Sequence, residues 1–172
     1  MSDDSRLKKF IEIASQINKE NSVMSEGEFW SVIGNSGFSE QERIAIKNQA
    51  ERWLEQGKSH NKYRQWNEAY TCLYKAYDCL PYRFDIALEL SISEYKLFRY
   101  WDAEKHAKEC TQLDPRGTYK TKLGSDELNA FDLISEIKSS KNAFYLLISS
   151  IVFTVLYFIY SYIKQNSFIV FV

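Results

Sequence analysis

Arg64-Gln65-Trp66-Asn67-Glu68-Ala69 and, further on, Arg99-Tyr100-Trp101-Asp102-Ala103 decide how this chain folds. Tyr100 stands 34 residues after Trp66, Ala103 34 after Ala69, and Pro115 34 after Pro81. The acidic-Ala pair recurs as Glu68-Ala69 and Asp102-Ala103. Around these markers residues 50–115 read as two copies of one unit, each a pair of helices about 12 to 15 residues long joined by a short turn. In copy one the first helix ends near Tyr63 and the second runs from Asn67 to about Leu80. Proline has no N–H to donate and clashes with the preceding turn, so Pro81 and Pro115 stop the second helices. Small residues stand where paired helices cross: Gly57 and Ala69, then Ser91 and Ala103. Trp53, Tyr63, Trp66 and Leu73 fill the remaining volume of copy one, and Leu90, Leu97 and Tyr100 that of copy two. Copy two departs from copy one with Ala87 for Trp53, Ala107 for Leu73 and Cys110 for Ala76.

An aromatic, an acidic-Ala pair and a closing proline on a 34-residue period resemble the tetratricopeptide repeat. The resemblance covers two repeats and implies an all-α fold: an antiparallel helix-pair solenoid with N-terminal capping helices and a C-terminal capping helix. It also implies a protein that acts by holding other proteins. In that family the first helices of successive repeats line a concave groove for an extended or helical peptide. Carried over by position, the groove candidates are Leu54, Lys58, Asn61 and Lys62, with Glu51 beside them, and Leu88, Ile92, Tyr95 and Lys96, with Asp85 beside them. Some members grip the C-terminal carboxylate of heat-shock chaperones with a Lys/Asn/Arg clamp. Here Leu54 and Glu89 occupy two clamp positions, so a carboxylate clamp is not expected. Leu54, Leu88, Ile92 and Tyr95 favour an apolar or amphipathic segment instead. The competing expectation is a surface covered by the N-terminal helix or simply solvated.

That N-terminal helix spans roughly residues 5–18, where Leu7, Phe10, Ile11, Ala14 and Ile17 recur at helical spacing. It is read either as a helix packed on the repeat core or as an arm lying in the groove, released through the polar Asn18–Ser22 connection. Ser25-Glu26-Gly27-Glu28 and Ser39-Glu40-Gln41-Glu42 are two capping boxes. The first opens a short helix to about Ile33; the second opens a helix running through Ile46, Ala50 and Trp53. Two short helices and a Gly-containing turn also describe a helix-turn-helix. Glu40, Glu42, Glu51 and Glu55 outnumber Arg43, Lys47 and Arg52 on the second of them, and a phosphate-facing helix should not be acidic. Residues 1–49 therefore read as an arm and cap for the end of the stack, and no nucleic acid partner is expected.

Chemistry is sparse. His60 and His106 are the only histidines, without a cysteine or carboxylate set at metal-ligand spacing. No Gly-rich phosphate loop or nucleophile elbow is present. The chain is thus expected not to be an enzyme and to hold no cofactor or metal. The three cysteines, at 72, 79 and 110, all fall on second helices, where small packable residues are expected. An odd count favours free thiols and a reducing compartment. Seven of the twelve tyrosines lie between Tyr63 and Tyr100, so the aromatic load sits in the repeats.

After Pro115 comes a polar, basic connector to Gly124. Ser125-Asp126-Glu127 is then expected to open a capping helix with Leu128, Phe131, Ile134 and Ile137 on one face, completing residues 116–141. Residues 142–163 follow as a transmembrane helix. Ala143 to Ile163 holds no charge, proline or glycine, and its 21 residues cover roughly 30 Å, the thickness of a bilayer core. Tyr145 at one end and Tyr157, Tyr160 and Tyr162 at the other suit the interfaces. Lys138 and Lys141 precede the span and only Lys164 follows it, which leaves the N-terminal domain cytoplasmic. No signal peptide is expected at the acidic, polar start. A tail, 164–172, ends in apolar Phe168–Val172, which either dips into the far leaflet or meets another membrane subunit. Two functions follow from this organisation. One is a membrane-anchored adaptor binding a protein or peptide partner on the cytosolic face. The other is an accessory or assembly subunit of a larger membrane complex, whose transmembrane helix makes the key contacts, with Ser149, Ser150 and Thr154 as candidate contact residues.

Overall fold

The computed structural model describes residues 3–20, 24–123 and 126–167. Among them are seven helices and one two-stranded hairpin: α1 Asp3–Glu20, α2 Glu26–Asn35, α3 Glu40–Lys62, α4 Trp66–Cys79, α5 Phe84–Lys96, α6 Tyr100–Leu113, β1 Thr121–Leu123, β2 Asp126–Leu128 and α7 Ala130–Ser167. The chain divides into two compact units, residues 1–137 and 138–172, with the first turns of α7 in the first.

Both serine caps form. Ser25 Oγ and Ser39 Oγ accept from the backbone N–H of Glu28 and Glu42, and each glutamate accepts in return from its serine N–H, at 2.9 and 2.8 Å. This reciprocal pairing satisfies two orphan donors at each helix start. α2 continues two residues beyond Ile33, to Asn35, before the chain turns.

α1 packs on α2 and α4. Phe10 is fully buried and meets Phe29 edge-on at 6.1 Å and Phe38 at 5.4 Å. Arg6 pairs with Glu42 at 2.7 Å and lies over the Phe38 ring. Of the two readings of the N-terminal helix, packing on the core is the one observed. Part of the Asn18–Ser22 connection, residues 21 and 22, lies outside the described residues.

The helix pairs α3/α4 and α5/α6 stack through contact of α4 with α5. Gly57 makes the first crossing possible: a Cβ there would lie 2.4 Å from Leu73 Cγ. The turns inside the two pairs are built alike. Arg64 N–H donates to Asn61 O and Gln65 N–H to His60 O; thirty-four residues later Phe98 N–H donates to Tyr95 O and Arg99 N–H to Glu94 O. This is the Schellman arrangement, and it places Arg64 and Phe98 in left-handed backbone, at φ 59° and 62°. The second helices end at Cys79 and Leu113, ahead of Pro81 and Pro115.

The C-terminal part differs from the expected organisation. No helix starts at Ser125: β1 and β2 pair antiparallel, with Thr121 opposite Leu128 and Leu123 opposite Asp126. Residues 124 and 125 lie outside the described residues. The cap is Asn129, whose Oδ1 accepts from the N–H of Phe131 at 2.9 Å and of Asp132 at 3.0 Å. An asparagine that serves two orphan donors outcompetes the earlier serine. From Ala130 a single helix runs to Ser167, so the helix expected to cap the stack and the expected span at 142–163 are one continuous element, with nothing between Ser139 and Asn142 to stop it. Within it Ala130–Tyr162 is long and apolar enough to cross a membrane, with a mean hydropathy of 2.1 over its most apolar 18 residues and none of that stretch buried. The apolar end Phe168–Val172 lies outside the described residues.

Candidate functional site

The groove candidates sit on α3 and α5, which touch side by side. Leu54, Leu88 and Ile92 are essentially inaccessible and belong to the core. Asn61 is also buried, Lys58, Tyr95 and Lys96 are half-buried, and Lys62 is exposed. The expected apolar lining is therefore packing for the helix stack, while the accessible part of the face is cationic and aromatic.

A buried polar link joins the two helices. Asn61 Nδ2 donates to the Glu89 backbone oxygen at 3.1 Å and to its Oε2 at 3.0 Å. Thr121 Oγ1 donates to the other carboxylate oxygen of Glu89. Burial pushes the Glu89 carboxyl above its ordinary pKa, against the lowering effect of these two hydrogen bonds and of Lys58. Asn61 Oδ1 is buried with no hydrogen-bond partner. At the start of α5, Arg83 grips Asp85 with two N–H groups, at 2.8 and 2.7 Å, and reaches Glu51 of α3 with another. This fork-to-carboxylate geometry fixes the register of the two helices.

Thr121 comes to Glu89 because the chain turns back after α6. Asp114 accepts from Tyr119 N–H at 2.9 Å and from Thr118 Oγ1, and Gly117 takes φ 59° where a Cβ would press on Phe131 at 3.1 Å. The Tyr119 ring meets Phe84 edge-on at 5.6 Å. Burial disfavours the Lys58 ammonium, yet Tyr119, Glu55 and Asp85 outweigh it and hold its pKa above the ordinary value. The face read as a ligand groove thus carries residues 119–121 of the same chain, and the N-terminal helix lies elsewhere. The signal available in the sequence was Glu89 itself, a lone carboxylate inside the apolar run Ile86–Ile92, which demands a donor from somewhere.

The remaining polar chemistry is structural in form. Cys79 and Cys110 are buried, which pushes each thiol up to about 12, and Cys72 is raised by burial as well. Thiols held protonated in this way are poor nucleophiles. Among the described residues no group of three His, Cys, Asp or Glu side chains is placed to hold a metal ion. His60 Nδ1 lies 2.6 Å from Gln65 Oε1 at the first turn, and His106 is buried beside Glu94. The latter pairing joins residues twelve apart on different helices, which no local pattern announces.

Compared with known protein families, curated proteins and solved structures, the chain matches none.

Proposed function

We propose that this chain is a membrane-anchored adaptor: a tetratricopeptide-like module of two helix pairs, held at the cytosolic face of a bilayer by α7, that recruits a protein partner there. The observation carrying this reading is the union of two elements in one chain. One is a turn geometry that recurs after thirty-four residues, at Arg64 and Phe98; the other is a helix apolar enough to cross a membrane. Stacked helix pairs present large side surfaces, which suits binding. Lys138 and Lys141 ahead of the span favour a cytoplasmic N-terminal unit. A peptide on the α3/α5 face either displaces residues 119–121 or binds beside them, at Lys62, Tyr95 and Lys96.

A second reading, an accessory subunit of a membrane complex, draws on the covered state of that face and on α7. Every residue from Asn142 to Tyr160 is exposed, and lipid or other helices must cover them. Ser149 and Thr154 speak less for it, since their hydroxyls donate back to Leu146 O and Ser150 O of their own helix, both at 2.9 Å. Exchanging residues 142–163 for an unrelated apolar helix, followed by crosslinking in native membranes, separates the two. An adaptor keeps its soluble partner after the exchange. A subunit loses its integral-membrane neighbours, and that result, with no soluble partner captured by the native chain, overturns the adaptor reading. Protease protection of the N-terminal unit in sealed vesicles checks the orientation.

A further inference from the structure

A cleft of about 480 Å³ opens between α4, α5 and α6, with Ser15 of α1 also lining it. Tyr70, Tyr74 and Tyr77 follow one another along a single face of α4, and the first two rings lie 5.6 Å apart. Carboxylates enter from all three helices: Asp78 from α4, Glu94 from α5 and Glu109 from α6. Two of these have partners. Glu94 Oε2 lies 2.8 Å from His106 Nδ1, and Glu109 Oε2 accepts from Tyr77 Oη, with Lys105 Nζ 3.7 Å from its other oxygen. Asp78 has neither a hydrogen bond nor an ion pair among the described residues. Burial pushes its carboxyl up to about 6, and only His106 pulls the other way.

An unpaired, partly buried carboxylate costs stability and gives the fold nothing back. Its surroundings are also the wrong ones for an anion. The Tyr74 phenol is held above its ordinary pKa, first by Asp78, then by burial and Tyr70, with Arg99 opposing. The cleft wall meanwhile shows what it accepts: the Arg99 guanidinium, held by Asp102 at 2.9 Å, sits over the Tyr70 ring at 4.5 Å. Tyrosine faces attract cations through their quadrupole, and a nearby carboxylate strengthens that preference.

We propose that this cleft is a binding site for an organic cation: the guanidinium or alkylammonium group of a basic segment on the protein partner, received on the Tyr74 face and paired with Asp78. The partner as carrier rests on the adaptor reading; the chemistry of the cleft does not. A free polyamine presents the same ammonium group and is the other source the test must separate.

The full chain in zwitterionic nanodiscs, which offer a basic peptide no anionic lipid, is titrated into dye-labelled acetyl-Ala-Arg-Ala-Arg-Ala-amide. Fluorescence polarisation reads the binding, the same peptide with Glu for Arg is the control, and spermidine binding is measured separately by isothermal titration calorimetry. Saturable binding of the arginine peptide is expected, weakened about five- to tenfold by Asp78→Asn and also by Tyr74→Leu, with no binding of the glutamate peptide. Circular dichroism melts establish that both variants are folded. Saturable spermidine binding with no binding of the arginine peptide supports the cation site and overturns the basic segment as its occupant. Equal affinity in wild type and Asp78→Asn, or saturable binding by neither probe, overturns the site. The crosslinking comparison tests the adaptor reading independently of this result.

Discussion

Arg64 and Phe98 stand thirty-four residues apart in the same backbone state, at φ 59° and 62°, each closing a first helix before its second begins. Left-handed backbone favours glycine, because a Cβ crowds the following carbonyl at a cost of about 1–2 kcal/mol. Both positions hold a large side chain instead, and Phe98 is 75% exposed, so packing recovers little of that cost. Arg64→Gly and Phe98→Gly are each expected to stabilise the first unit by about 0.5–1 kcal/mol, the strain relieved less the added freedom of the unfolded chain. Chemical denaturation of the two variants measures this. Destabilisation by Phe98→Gly would show that the Phe98–Tyr100 ring contact, at 6.1 Å, outweighs the strain.

The crossing at Gly57 gives a second test. A methyl group there would drive into Leu73, so Gly57→Ala is expected to cost about 2–3 kcal/mol by overpacking. Copy two solves the same crossing differently, with Ser91 at the Gly57 position and Ala107 at the Leu73 position, both fully buried. Moving that pair into copy one, as Gly57→Ser with Leu73→Ala, should recover much of the loss of Gly57→Ser alone. A double-mutant cycle reads the coupling. Strict additivity of the two changes would mean that the sites do not share this volume.

The helix pairs were legible because their determinants are local: caps, stop signals and small residues at a fixed period. Two features were not. Ser125 reads as a good cap, but Asn129, four residues on, serves two donors at the start of α7, while Thr121–Leu123 pair with Asp126–Leu128. Leu54, Leu88 and Ile92 occupy positions that face a ligand in the family template, yet here they are buried in the core of the helix stack, and the chain returns across α3 and α5. That return depends on the Asp114 turn and on Thr121 meeting Glu89 from thirty-two residues away, a match of donor to buried acceptor that no periodicity encodes.

Thr121 tests how firmly that cover is held. Thr121→Val keeps the shape and removes the hydroxyl, leaving one oxygen of a 4% exposed carboxylate without its donor. A loss of about 1–3 kcal/mol is expected. Hydrogen exchange should show faster exchange in β1 and β2 and little change in α4 and α6. Uniform loss of protection through all helices would instead make the hairpin part of one cooperative unit with the stack.

Asp78 contributes to the pH dependence of stability. Its folded carboxyl titrates at about 6, above the ordinary value of 3.8. Folding therefore takes up a proton between these two values, so stability from this group is full below about pH 4 and declines as pH rises through 6. Burial is what raises the carboxyl pKa, and His106 across the cleft pulls the other way. Allowing for solvent at this partly exposed site, Asp78→Asn should raise stability at pH 7.5 by about 1 kcal/mol and leave it unchanged at pH 3.5. Equal gains at both values would mean that amide packing, not relief of charge, is responsible.

The membrane assignment makes the sharpest demand on α7. An Arg near the centre of a span costs about 2.5–3.5 kcal/mol by insertion, and two in adjacent turns exceed what the remaining apolar residues supply. Val152 and Val155, 51% and 50% exposed, lie in the middle of the charge-free stretch, one turn apart on the same side of the helix. Val152→Arg with Val155→Arg is therefore expected to move the protein from the membrane pellet to the supernatant on alkaline carbonate extraction. Val152→Leu with Val155→Leu should stay in the pellet. A wild-type chain that extracts freely would mean that α7 is covered by protein, not lipid. The accessory-subunit reading would then have to name the helices that cover it.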